Sequence, residues 1–217
     1  MTLIKSISGI RGTIGGKNGD NLTPLDAVNF GCAYAQWIKN RNPNTKTKIV
    51  IGRDARISGE MIQNFVQYSI ISMGIDVIDL GLSTTPTVEL MVKHYNANGG
   101  IIITASHNPS EWNALKLLNE DGEFLNSEEG KKIVEFSKNK NFLFSDINNL
   151  GKISKIKDSM KIHIESVLSL ELVDVNKIKE KKLKVVVDAV NSTGGIIVPD
   201  FLENLGIDVI RLYCDPN

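Results

Sequence analysis

Two periodicities alternate along the chain. Lys48-Ile49-Val50-Ile51, residues 75–80 and Ile101-Ile102-Ile103 are short, nearly continuous apolar runs, the pattern of strands covered on both faces. Between them Leu25, Val28, Cys32, Ala35 and Ile38 recur at helical spacing, as do Ile62, Phe65, Val66, Ser69, Ile70 and Met73, so two helices each bury one face. Thr23-Pro24-Leu25-Asp26 supplies a hydroxyl cap, a proline at the first helical position and an early acid. Gly74 suits the end of the second helix, and Thr85-Pro86 opens a short third one. Ahead of them the sequence predicts a strand around residues 2–10 and a glycine-rich turn at Arg11-Gly12-Thr13-Ile14-Gly15-Gly16. Asn42-Pro43-Asn44-Thr45 reads as a polar connector.

Helices between apolar strands imply right-handed crossovers and an α/β fold, a mixed or parallel sheet with helices on both faces. Function then belongs in the loops at the carboxyl ends of the strands, residues 53–58, 81–86 and 104–113. From residue 137 to 184 the chain turns rich in Lys, Asn and Ser, with a helix-like stretch at 160–172, and reads as a linker. Beyond it Val185-Val186-Val187, a glycine-bearing loop, a helix and Gly206-Ile207-Asp208-Val209-Ile210 echo the first unit, where Gly-Ile-Asp-Val-Ile stands at 74–78. The expected division is therefore 1–140 as a first domain, 141–183 as a linker with a helix, and 184–217 as the start of a second α/β domain. A tail this small buries too little to offset its ordering entropy. It must pack on the first domain, pair with another copy or be marginal, and its open strand edges favour self-association.

Composition narrows the partners. The 217 residues are 41% hydrophobic and 23% charged, ordinary globular values that exclude a disordered, collagenous or disulfide-scaffold chain. Lys plus Arg and Asp plus Glu are 25 each, so no overall field draws the chain to nucleic acid or to an anionic membrane. The lysines between 152 and 182 are interrupted by acids and aliphatics and read as a solvated face. Two cysteines, Cys32 and Cys214, point to a reducing compartment. With no signal pattern after Met1 and no apolar run near ~18 residues, a soluble cytoplasmic protein is expected.

Polar chemistry concentrates in Thr104-Ala105-Ser106-His107-Asn108-Pro109, directly after the most apolar strand. Pro109 fixes the turn and biases Asn108 toward extended backbone, so Ser106 and His107 can be displayed. The plain alternative is a turn that closes its own hydrogen bonds. There is no Gly-x-Ser-x-Gly elbow, Walker loop, Gly-x-Gly-x-x-Gly or His-Glu-x-x-His. His94, His107 and His163 offer no good base for a hydrolytic serine.

That loop, extended through Ser110-Glu111-Trp112-Asn113-Ala114-Leu115-Lys116, resembles the phosphoserine loop of the α-D-phosphohexomutases: phosphoglucomutase, phosphomannomutase and phosphoglucosamine mutase. Ser8-Gly9-Ile10-Arg11-Gly12 resembles their opening motif and Gly52-Arg53-Asp54-Ala55-Arg56 their second loop. Ala114 departs from the glycine many members carry. The resemblance implies an isomerase that moves a phosphoryl group between the 1- and 6-positions of a hexose through a bisphosphorylated sugar. Ser106 carries the phosphate, Mg²⁺ touches one of its oxygens, and a hexose 1,6-bisphosphate is the activator. Arg11 and Lys116 are the implied catalytic cations, and His107, Asn108 and Arg53 contact substrate or phosphate. Residue by residue, Arg11 can instead pin its turn, Lys116 can face solvent, and Arg53 with Arg56 can form a self-held salt-bridged loop. The family's Asp-x-Asp-x-Asp metal loop does not occur in these residues, and Asp188 alone reads as a turn residue. The sequence therefore reads as an N-terminal portion of such an enzyme, probed against the alternative of a non-catalytic binding module on the same fold.

Overall fold

The computed structural model describes residues 1–6, 9–43 and 45–217. Ile7, Ser8 and Asn44 lie outside the described residues, and with them part of the expected first strand, one connector residue and the serine of the opening motif.

The order is β1 (Ile4–Ser6), β2 (Gly9–Thr13), α1 (Pro24–Arg41), β3 (Lys48–Arg53), α2 (Gly59–Ser72), β4 (Asp76–Leu82), α3 (Thr85–His94), β5 (Gly100–Ile103), β6 (Trp112–Leu118), α4 (Ser127–Asn139), β7 (Ile153–Lys155), α5 (Ser159–Leu168), α6 (Val175–Glu180), β8 (Lys184–Asp188), α7 (Gly194–Asn204) and β9 (Asp208–Leu212). Among the described residues seven strands form one mixed sheet in the order β1-β2-β6-β5-β3-β4-β7. β3 lies parallel to both β4 and β5, whereas β6 runs antiparallel to β5 and to β2. The strand expected over residues 2–10 is instead two antiparallel strands, and Arg11-Gly12-Thr13, expected in a turn, completes the second of them. Two glycines in a short span mimic a turn, but here the close approach of Leu22 to Gly12 needs a residue without a side chain inside the strand.

Each helix start follows its local chemistry. Thr23 and Asp26 form a reciprocal capping box ahead of α1, with Pro24 at its first turn. Gly74, at φ +85°, closes α2 in the left-handed region. Alternation along β3 and β5 sends Ile49, Ile51, Ile101 and Ile103 into the core under α1, α2 and α4, and Val50 and Ile102 into the core under α3. Gly31 brings α1 onto α2, since a Cβ there would collide with the Ser69 hydroxyl. Tyr34, fully buried, donates to the Leu118 carbonyl at 2.7 Å and ties α1 to the sheet.

Residues 141–183, expected as a linker, belong in part to the first sheet. Ser145 and Gly151 donate their amides to Ser72 and Ile71, both at 2.9 Å, and β7 then pairs in parallel with β4. Burial along β7 is slight, which is why its composition reads as a connector. The tail is a parallel pair, β8 with β9. Ile197 and Phe201 of α7, Ile164 and Val167 of α5 and Pro86 of α3 line one apolar cleft, so the tail stands beside α5 of the 141–183 segment. Asp188 accepts the Val190 amide at 3.0 Å, a turn bond. Among the described residues no helix is long and apolar enough to cross a membrane.

Two stability predictions follow from these contacts. Tyr34→Phe leaves a buried carbonyl without its donor and should cost about 1–2 kcal/mol in urea unfolding; an unchanged midpoint would mean the bond is dispensable. His163 lies within 2.9 Å of the Thr87 hydroxyl, and burial pushes its pKa below the ordinary 6.5. The folded chain thus resists a proton that the unfolded chain accepts, so its contribution is complete above about pH 6.5 and falls as pH drops below it. Comparing wild type with His163→Asn at pH values either side of 6.5 should show a loss on acidification that the variant lacks.

Candidate active site

The carboxyl ends of β3 and β5 are neighbours because those strands pair directly, with Arg53 opposite Ile103. That adjacency brings the loop after β3 against the loop after β5. Ser106 sits in the latter with φ +56°, a left-handed conformation that costs a non-glycine residue roughly 1–2 kcal/mol. Its amide donates to the Thr104 hydroxyl at 3.0 Å, and that hydroxyl donates to Asp54 Oδ2 at 2.5 Å. Ser106 and His107 are exposed, and Asn108 is half-buried. Among the described residues the Ser106 hydroxyl has no protein partner, so the turn does not consume it.

What closes the turn is Arg56. Its Nε donates to Asp54 Oδ2 at 3.1 Å. Nη1 donates to the carbonyls of Pro109 at 2.6 Å and Trp112 at 3.0 Å, and Nη2 to those of Ser106 at 2.9 Å and Asn108 at 2.7 Å. All five N–H donors of the guanidinium are thereby used. Asn113, fully buried, adds a second stitch by donating to the Ser58 hydroxyl at 2.9 Å. The expected self-held Arg-Asp-x-Arg loop is real as an Arg56–Asp54 pair, but four of the five bonds reach across to the serine loop. Sequence reasoning missed this, because the signal is the adjacency of β3 and β5, which no local pattern carries.

Thr104 donates its amide to the Ala114 carbonyl at 3.1 Å, and Ala114 stands opposite Arg11. Thr104, Ala114 and Arg11 therefore form a row across three strands, placing the Arg11 Cα about 10 Å from that of Thr104. Opposed residues share a sheet face, so Arg11 and Lys116, two residues from Ala114 and opposite Ile102, project from the same face. Arg11 is exposed and Lys116 half-buried. The Lys116 ammonium stands 5.8 Å from the Phe124 ring centroid. Burial raises the Glu89 carboxyl above the ordinary carboxylate range, with the Lys116 charge opposing the rise. Among the described residues Arg53 makes no hydrogen bond to the serine loop. It donates to the Asp54 carbonyl at 3.3 Å, stands 3.8 Å from Glu60, and opens with Gln63, Asp79 and Lys157 onto a cleft between α2, α5 and α7.

No group of three metal-ligating side chains comes together among the described residues. Asp54, beside the loop, already accepts from Arg56 and Thr104.

Residues 3–143 match the family described as phosphoglucomutase/phosphomannomutase, alpha/beta/alpha domain I. The chain belongs to this family. It is similar to a phosphoglucomutase/phosphomannomutase of Thermococcus kodakarensis, 36% identical over 208 residues, with 95% of this chain and 45% of the relative covered. A phosphoglucosamine mutase of Thermodesulfovibrio yellowstonii is 36% identical over 211 residues, covering 96% and 45%. The fold is shared with a phosphoglucomutase/phosphomannomutase family protein of Burkholderia thailandensis, with TM-score 0.76, 20% identity and coverage of 100% and 45%. It is also shared with the phosphoglucomutase parafusin of Paramecium in an open form, with TM-score 0.74, 17% identity and the same coverage. This phosphohexomutase chain spans about half the length of the relatives it matches.

Arg56→Ala would strand four carbonyls and the Asp54 carboxylate, so a loss of about 2–4 kcal/mol in urea unfolding is expected. Arg56→Lys, with a point charge in place of the planar fork, should recover less than half of it. Amide exchange at Ser106 and Asn108 should accelerate in both. Wild-type protection in Arg56→Ala would show that the loop holds itself.

Proposed function

We propose that this chain supplies the phosphoryl-carrying part of a phosphohexomutase that moves phosphate between the 1- and 6-positions of a hexose. The observation that carries the reading is the Ser106 hydroxyl, left without a partner among the described residues and exposed at a strand's carboxyl end while its own amide and carbonyl are both held. In the first transfer the phosphorus–oxygen bond to Ser106 breaks as one forms to a hydroxyl of the sugar monophosphate, and the departing serine oxygen takes up a proton. The bisphosphorylated sugar then returns its other phosphoryl group to Ser106, which restores the carrier. Phosphoryl transfer depends on positioning and on neutralising charge rather than on covalent assistance. The clamped loop serves the first need, and Arg11 with Lys116, facing the same side of the sheet, serves the second. His107, exposed beside Ser106, is suited to hydrogen-bond a phosphate or sugar oxygen, and Asn108 to brace it. The substrate class is a hexose monophosphate, as the relatives' names indicate for those proteins.

Full-length protein incubated with glucose 1,6-bisphosphate should gain one phosphoryl group, mapped to Ser106 by peptide mass and absent from Ser106→Ala. Label on another residue, or none, would favour a binding module that keeps the fold without the chemistry.

A further inference from the structure

We infer that the cleft between α2, α5 and α7 is a second ligand site, separate from the serine loop, and that it takes a small phosphorylated polyol. The two sites lie on opposite faces of the sheet. Arg53 stands opposite Ile103 and shares its face, the one packed under α1 and α2. Lys116 stands opposite Ile102, whose face packs under α3. Asp79 pairs with Ile51 and Lys155 with Asp79, so both share the face of Arg53, and Lys157 follows two residues past Lys155. The cleft onto which these side chains open has a volume of about 1020 Å³, at the upper end of small-molecule pockets.

The buried wall holds acceptors that the protein leaves unmet. Gln63 and Gln67, both lining the cleft, are each 4% exposed. Gln63 donates Nε2 to Asp79 Oδ1 at 2.6 Å, where the Gly81 amide also donates at 2.8 Å. A carboxylate only accepts, so this bond fixes which way the amide points. Gln67 donates Nε2 to Asn64 at 2.7 Å. The Oε1 atoms of both glutamines are buried without a hydrogen-bond partner, a costly state that hydroxyl donors relieve. The rim holds cations. The Arg53 side chain is 18% exposed, yet its guanidinium makes one hydrogen bond, to the Asp54 carbonyl, against five at Arg56. Lys155 and Lys157 are exposed and have no ion pair among the described residues. The carboxylates of the lining are engaged: Glu60 at 3.8 Å from Arg53, Glu165 at 3.8 Å from Lys161 and Asp200 at 3.1 Å from Arg211. Two unpaired ammonium groups match a phosphate dianion, whereas a carboxylate would leave one over. A cover of apolar chain would bury both unpaired and leave the glutamines unmet, which is costly. Hydroxyls inward and phosphate at the rim describe one molecule.

Sorbitol 6-phosphate is an open-chain probe with no anomeric carbon. Titrated into the isotope-labelled chain, it should shift the side-chain amide signals of Gln63 and Gln67 together with the Arg53 Nε signal. Inorganic phosphate should move Arg53 and leave the two amides in place. Arg53→Gln and Lys157→Glu should each raise the dissociation constant of the probe at least ~10-fold, while Lys116→Ala, on the other face, leaves it unchanged. Lys157 is exposed, so that variant should fold, which circular dichroism checks. Glutamine amides that never shift would mean that water alone meets their oxygens and would overturn the site. Binding that survives Lys157→Glu but is lost in Lys116→Ala would place the probe at the serine loop and overturn it equally. Amides that follow inorganic phosphate as closely as the probe would overturn the polyol.

Discussion

Everything at the serine loop depends on one side chain whose donors match its acceptors in number and direction. A guanidinium is planar and presents five N–H groups in a fixed fork. Arg56 uses one on Asp54 and four on backbone carbonyls that belong to residues 106–112. Carbonyls converging on one point repel one another and are stable only around a cation. The side chain is nearly enclosed, at 12% exposure, so water cannot substitute for it without reopening the turn. Asp54 neutralises the buried charge and at the same time orients Thr104, which in turn holds the Ser106 amide. The left-handed backbone at Ser106 persists because bonds on both sides over-determine it.

The clamp exists only because of the sheet order. β3 and β5 are adjacent although β4 lies between them in sequence, and the crossover through α3 returns the chain to the other side of β3. Had β5 added beyond β4, the Arg56 loop and the Ser106 loop would lie a strand apart, farther than a guanidinium reaches. The antiparallel return of β6 then sets Ala114 beside Thr104 and carries Arg11 and Lys116 to one face. Global topology decides which local motifs become a site.

Legibility followed the same division. The covered strands Ile49-Val50-Ile51 and Ile101-Ile102-Ile103, the Thr23 cap and the Gly74 stop were readable because each depends on neighbours in sequence, and so was the prominence of Ser106 at a strand end. Arg11 was misplaced in a turn because Gly12, Gly15 and Gly16 read locally as flexibility, whereas Gly12 is needed for Leu22 to approach. β7 was read as linker because an edge strand of three residues with little burial carries almost no hydrophobic signal. Arg56 stayed ambiguous between a salt-bridged turn and a ligand residue. It is neither alone, since its pair with Asp54 is what allows it to hold the other loop.

The charge layout around Ser106 follows from the same bonds. Asp54 has committed its oxygens to Arg56 and Thr104, and Glu89 carries a carboxyl whose ionised form is disfavoured by burial. Arg11 and Lys116 project from one face of the sheet, Arg11 exposed and Lys116 half-buried, and two cations on one face suit an anion, although Glu111 is exposed within the serine loop itself. A divalent cation asks for the opposite, several oxygen ligands with negative charge. A carboxylate already held by a guanidinium and a hydroxyl, as Asp54 is, has little left to offer a cation and repels an approaching anion less than a free one would.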